Sequence, residues 1–500
     1  MHSHNPNLNA LIETQKEIKL LGSIASVLGW DQETYMPEEA LLWRSEQLAW
    51  LSGQMHRRET APEIKDLLDK LEDYSPADDR EKALLKVARR EFRRAEVFPE
   101  DYVIEKARHH SLAQNGWIQA REKEDFEAFR PFLEKNMEFA RRDAEYLGYE
   151  EHPYDALLDL YEPDMKASQI KELFDPLGEY LAGLVKRIGE KPPVRDDFLS
   201  RSCPVDKQEE LGKEVLKAIG YDFGKGRLDA TAHPFTSELG PADIRVTTRY
   251  DEFDFCSNLF SVIHEGGHAL YEMGIDSTLS ETLLGTGTSL GIHESQSRFW
   301  ENLLGRSRAF CEGFLPLYQN YFPQAFGDID GESFYRGINR VKPSFIRVEA
   351  DEVTYSLHVI LRFNLELALL EGSLAVKDLP EAWNEESRKL LGILPESVSQ
   401  GVLQDVHWSH GLIGYFSTYA LGNLYGAQFM ARMKKDIPQL DDLLRQRNCE
   451  PPLKWLREKI HRHGSVYSSA ELCRKICGED LDYRYFIDYL EKKYLEIYGV

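Results

Sequence analysis

Cysteine is scarce in this chain: six residues in 500, scattered at Cys203, Cys256, Cys311, Cys449, Cys473 and Cys477. That excludes a disulfide framework and points to a reducing compartment. Cys473 and Cys477 lie four apart in a helix-forming stretch, but no second pair at ligand spacing accompanies them, so they read as free thiols. Long apolar runs are also missing. None approaches the roughly 18 residues that span a bilayer, and the opening MHSHNPNLNALIETQKE lacks a basic segment followed by an apolar one, so a cytoplasmic protein is expected. Positive charge is in deficit. With 61 Lys and Arg against 85 Asp and Glu, the net charge of −24 excludes nucleic acid and anionic membrane as partners. Flexible linkers, repeats and low-complexity tracts are absent too. The Lys191-Pro192-Pro193 turn and the Gly220 to Gly226 stretch are too short to separate domains.

What is present is helical periodicity. Leu8 to Trp30, Ala40 to His56, Arg80 to Arg94, Asp101 to Arg121, Phe126 to Leu147 and Ile170 to Ile188 repeat apolar residues at helical spacing beneath charged outer faces. A chain this long buries about three quarters of its unfolded surface. The reading is a mainly α protein: one continuous domain over 1–500, with 1–230 as helical scaffold and 231–430 carrying the functional segments. Ile244 to Tyr250, alternating and β-branched, predicts a strand, with Thr231 to Ser237 available for a small sheet beside it.

The most informative segment is His264-Glu265-Gly266-Gly267-His268. On a helix, residues four apart share a face about 6 Å apart, so both imidazoles reach one tetrahedral ion while Glu265 flanks the open coordination position. That is the geometry of a zinc centre with its own general base, suited to amide hydrolysis. The bare pattern arises by chance in about one such chain in twenty, so its neighbours must carry the argument. Phe255, Leu259, Val262 and Ile263 place it on a buried helix that Asp251 or Asp254 can cap. Gly266 and Gly267 each cost that helix about 1 kcal/mol relative to Ala, which predicts close approach of another backbone or of a substrate.

A catalytic ion needs a third protein ligand. Glu294, in Gly291-Ile292-His293-Glu294-Ser295-Gln296 at the start of a second helix, is the first candidate. Glu301, two turns on, is the rival and reads otherwise as a solvated or salt-bridged residue. His293 is either an alternative ligand or a donor behind one. Zinc is the expected ion, although the same nitrogen and oxygen donors accept cobalt.

His233-Pro234-Phe235, Asp243-x-Arg245-x-Thr247, the His264 segment, His293-Glu294-Ser295-Gln296, Ile346-Arg347-x-x-Ala350-Asp351 and Gly401-x-x-Gln404-Asp405-x-His407-Trp408 occur in this order. Together they resemble the motif set of the carboxypeptidase Taq family, and with Trp30-Asp31 near the start the resemblance covers the chain. It implies a metal-dependent carboxypeptidase that removes single C-terminal residues from peptides. It also implies a mainly helical fold with a deep substrate groove, and a homodimer.

Peptide hydrolysis needs a donor for the developing oxyanion. Tyr415, Tyr419 and His407 are the candidates; tyrosines four apart on a helix also simply pack, and it is similarity to related metallopeptidases that favours Tyr419 and Tyr415. An exopeptidase must recognise a free carboxylate, and a guanidinium does so with a planar fork of donors. By resemblance this is Arg347, with Arg245 and then Arg298 behind it, while Gln404 and Asp405 orient ligand imidazoles or substrate. An oligopeptidase cutting internally would share the metal site and lack the carboxylate anchor. A non-catalytic peptide-binding protein would have no use for Glu265.

Overall fold

The computed structural model describes Met1 and residues 3–500. Helices dominate from Pro6 onward, and a three-stranded sheet is inserted before the His264 segment. Helix starts follow side-chain caps. Asn5 accepts from the amides of Asn7 and Leu8 to open Pro6–Thr34, Asp78 opens Asp79–Glu96, and Asp125 opens Phe126–Leu147. Each of the six expected N-terminal helices is present; two short ones, Pro62–Lys70 and Pro153–Leu158, fall between them. Leu8, Leu11 and Ile12 of the first helix pack with Ile64, Leu68, Leu84, Leu279 and Leu284 in a small core of their own, separate from the main one.

The sheet runs in the order β1 (Leu228–Ala230), β3 (Asp243–Thr248), β2 (Thr236–Gly240). β3 pairs parallel with β1 and antiparallel with β2, with Thr236 opposite Val246 and Ser237 opposite Arg245. The strand predicted over Ile244 to Tyr250 is therefore real but ends at Thr248, and its antiparallel partner starts later than Thr231. The sheet lies on the Phe255–Gly274 helix, to which Thr248 is tied by Ser261 Oγ at 2.7 Å and by Asn258 Nδ2 at 3.1 Å.

Two glycines set how closely the central helices approach. A Cβ on Gly267 would stand 2.7 Å from the Gln296 carbonyl oxygen and 2.7 Å from Ser297 Cα. One on Gly422 would stand 2.6 Å from Glu294 Cγ. Both distances are shorter than packed side chains tolerate. The Leu290–Arg298 helix is thus pressed between the Phe255–Gly274 helix and the Ser417–Asp436 helix, which is the close backbone approach that the paired glycines predict.

The cysteines are free thiols. No helix of the described residues is long and apolar enough to cross a membrane.

Candidate metal centre and active site

Asp254 caps the Phe255–Gly274 helix by accepting from the Ser257 amide, and two turns later His264 and His268 emerge with ring centroids 5.0 Å apart. Both turn Nε2 toward one oxygen of Glu294: His264 at 3.7 Å and His268 at 3.5 Å from Oε2. One ligand atom from each of the three residues lies within 4.8 Å of the other two.

The remaining nitrogens are tied back. His264 Nδ1 lies 2.8 Å from Glu301 Oε2, and His268 Nδ1 lies 2.6 Å from His293 Nδ1, whose Nε2 reaches Glu272 Oε1 at 2.7 Å. With Glu301 accepting from His264 Nδ1–H, and His268 Nδ1–H donating to His293 while His293 Nε2–H donates to Glu272, both inward Nε2 atoms present lone pairs. Glu301 is buried, and Arg298 and Arg306 also pair with it, so it is salt-bridged rather than solvated. It sits where the second helix widens into π-helical turns, Phe299–Gly305.

The electrostatics suit a cation. Burial works to raise the Glu294 carboxyl, but the Arg298 guanidinium and His264 outweigh it and hold it well below the usual carboxylate range. Burial drives the His268 pKa down to about 3, which leaves its ring neutral and able to coordinate. Burial also opposes charge on His264, yet Glu294 and Glu301 together raise it. Two imidazoles and a carboxylate, each oriented by a further group, fit a divalent ion of the zinc or cobalt kind.

Glu265 is buried beside them. Its Oε2 accepts from Thr236 Oγ1 at 2.8 Å, and the same hydroxyl is 2.8 Å from the Glu265 carbonyl oxygen. Burial raises the Glu265 pKa, countered by His264 and the Thr236 hydroxyl. Thr236 escapes sequence reasoning, since nothing local marks which β2 residue faces the helix.

Tyr415, just before the Ser417–Asp436 helix, and Tyr419, in its first turn, cluster with His407. His407 Nε2 is 3.2 Å from the Tyr419 hydroxyl, and the Tyr415 and Tyr419 rings stand edge to face with centroids 5.4 Å apart. Burial raises both phenols and lowers His407 to about 4, so at neutral pH the tyrosines keep their protons to donate and the imidazole is uncharged. Tyr425, on the same helix, instead stacks on Phe429 in the core.

Arg347 is buried with its guanidinium over the Tyr419 ring, 4.7 Å from the centroid. Its Nε and Nη2 donate to Asp405 Oδ1 at 3.1 and 3.0 Å, and Nη1 donates to the Tyr355 hydroxyl at 3.2 Å. Asp405 Oδ2 simultaneously accepts from Arg362 Nε at 2.7 Å. Two buried guanidiniums thus share one carboxylate. Arg362 was not legible as a site residue. Asp405 thus meets Arg347, the expected carboxylate anchor, rather than His264 or His268. Gln404 lies on the same segment: its carboxamide accepts from the Arg347 amide and donates to the Phe345 and Gln400 carbonyls, bracing the Arg347 segment. Arg245 pairs with Asp243 through two hydrogen bonds of 2.8 and 2.7 Å and lies over Trp30, while Arg298 holds Glu294 and Glu301.

A helical fold, a His-Glu-x-x-His helix and a carboxylate from a second helix together define a metal-dependent peptide hydrolase. The comparisons narrow the class. The family model described as carboxypeptidase Taq (M32) metallopeptidase matches residues 10–494. Thermostable carboxypeptidase 1 of Pyrococcus furiosus is 42% identical over 98% of this chain and 99% of its own. Carboxypeptidase 1 of Bacillus subtilis is 42% identical over 97% of each. A crystal structure of the M32 carboxypeptidase from Deinococcus radiodurans superposes with a TM-score of 0.97 at 38% identity, covering 99% of this chain and 100% of that one. The chain belongs to the carboxypeptidase Taq (M32) family. It is a metallocarboxypeptidase that depends on a divalent metal.

Proposed function

We propose that His264, His268 and Glu294 hold the metal, that the ion is zinc with cobalt able to replace it, and that residues 1–500 act as one domain in which 231–430 supply the site. The observation that carries this assignment is the convergence of two Nε2 atoms on one Glu294 oxygen while both Nδ1 atoms are anchored from behind. When bound, the ion supplies Lewis acidity toward the scissile carbonyl and the attacking water.

The chain's own residues do the rest. Glu265, held at Oε2 by Thr236, accepts a proton from the attacking water and delivers it to the departing amine. A phenol from Tyr419 or Tyr415, or the neutral His407, donates to the oxygen on which negative charge develops. Arg347 receives the terminal carboxylate of the peptide, because it shares its one carboxylate partner with Arg362 and its Nη1 and Nη2 each keep an N–H beyond the one donated within the cluster. This guanidinium favours the exopeptidase reading over internal cleavage. A cytoplasmic homodimer acting on peptides, with no nucleic-acid or membrane partner, completes the proposal.

Removing the metal with a chelator and restoring activity with stoichiometric zinc or cobalt tests the ion. Comparing free-acid with C-terminally amidated peptides tests the anchor, and equal rates on the two would return the enzyme to the internally cutting class.

A further inference from the structure

Tyr355 opens the Tyr355–Glu371 helix and is buried. The face of its ring carries the Arg298 guanidinium, 4.2 Å from the centroid, and Arg298 in turn donates to Glu294 and Glu301. Its hydroxyl accepts from Arg347 Nη1 at 3.2 Å. One rigid side chain therefore touches both the arginine behind the metal centre and the arginine proposed to hold the substrate carboxylate. The backbone beneath it is fixed as well: Asp351 accepts from the amides of Val353 and Thr354, and the Tyr355 amide donates to the Asp351 carbonyl at 2.9 Å.

We propose that Tyr355 is a positioning residue that sets the spacing between the carboxylate anchor and the metal centre, and so the register in which a single C-terminal residue is released. The inference rests on the reading of Arg347 as the anchor. A phenol suits the task because its two contacts are chemically distinct. The ring face attracts Arg298 through its quadrupole, while the oxygen lies in the ring plane and meets Arg347. Without the hydroxyl, Arg347 keeps its charge and its Asp405 partner but loses the contact that fixes the fork against the ring. Without the ring, Arg298 is released from one side, and the orientation of Glu294 and Glu301 loosens with it.

Tyr355→Phe and Tyr355→Leu separate the two contacts. The Phe variant should bind metal as tightly as the wild type, yet raise KM for free-acid peptides about tenfold with kcat little changed, as expected for one lost hydrogen bond to a charged group. Its rate on amidated peptides should stay at the wild-type level, so the preference for the free acid shrinks. The Leu variant should show the same KM effect and also bind metal more weakly, by about tenfold or more. Equal losses on free-acid and amidated peptides in the Phe variant, or loss of metal from it, would overturn the inference by showing that the hydroxyl supports the fold. Arg347→Ala run in parallel keeps the two readings apart. If that variant abolishes the free-acid preference while Tyr355→Phe leaves it at the wild-type value, the inference fails alone; if Arg347→Ala leaves the preference intact, the anchor reading fails and takes the inference with it.

Discussion

Glu301 Oε2 lies 2.8 Å from His264 Nδ1, on the side of the ring opposite the Nε2 that faces Glu294, and Arg298 bridges Glu301 and Glu294 at 2.9 and 2.7 Å. On the proposed assignment the two carboxylates, seven residues apart in sequence, have different tasks: Glu294 would face the metal directly, and Glu301 would fix the tautomer and orientation of His264.

Substitution separates those tasks. Glu294→Ala should lose metal on mild dialysis because a coordinate bond is gone. Glu301→Gln should keep metal but weaken it by about 10- to 100-fold, the usual cost of removing a group behind a ligand histidine. Competitive chelator titrations measure both, and a reversed order of affinities would exchange the assignments.

Thr236 holds Glu265, the proposed base, through one hydroxyl. Thr236→Val should lower kcat about tenfold, since a hydrogen bond to a charged or partly charged carboxylate is lost, and leave metal content unchanged. Thr236→Ser should restore most of the rate. A Val variant with wild-type kcat would remove Thr236 from the account.

Arg347→Ala should lower kcat/KM on free-acid peptides by about 2 to 5 kcal/mol, as when one partner of a buried charge pair is removed, with metal content unaffected. Amidated peptides, cleaved slowly from the outset, should be little affected. Equal losses on both would mean that Arg347 serves the fold or the transition state.

Asp405 pairs with two buried guanidiniums, and Asp405→Ala should destabilise the protein by about 3 to 5 kcal/mol, readable by urea denaturation. Burial works to raise its carboxyl, but Arg362 and Arg347 outweigh that and hold it below the usual carboxylate range. The folded state therefore binds this proton less readily than the unfolded chain. Its contribution is complete above the ordinary aspartate pKa of about 4 and is lost as pH falls below it. The wild type should lose more stability between pH 5 and pH 3 than Asp405→Ala does, and parallel pH profiles would contradict the pairing.

How much of this was legible in the sequence follows the range of the interactions. The His264, Glu265 and His268 constellation was readable because a helix fixes its geometry within four residues, and the two glycines announced the close approach that Gly267 makes to Gln296 and Ser297. The strand before that helix was readable from alternation, although its end at Thr248 was not. Glu294 was readable as a carboxylate on a second helix. Glu301 was half-readable: a salt bridge was foreseen, but its contact with His264 depends on how two helices pack and on π-helical turns that no periodicity marks. Thr236, Tyr355 and Arg362 were missed because each acts on a residue brought to it only by the fold, from Glu265 to Asp405. Gln404 and Asp405 were found by motif with two roles left open, toward ligand imidazoles or toward substrate, since a motif names residues without saying which neighbour they face.

The central claim is that Glu265 is the proton carrier of a metal-dependent reaction, and Glu265→Gln tests it most directly. Metal stoichiometry and turnover on a free-acid peptide should be measured on the same preparation. The account predicts wild-type metal content with turnover reduced between about a hundredfold and ten-thousandfold, because an amide cannot take the proton. A variant that binds metal normally and retains more than about a tenth of the wild-type rate would contradict it.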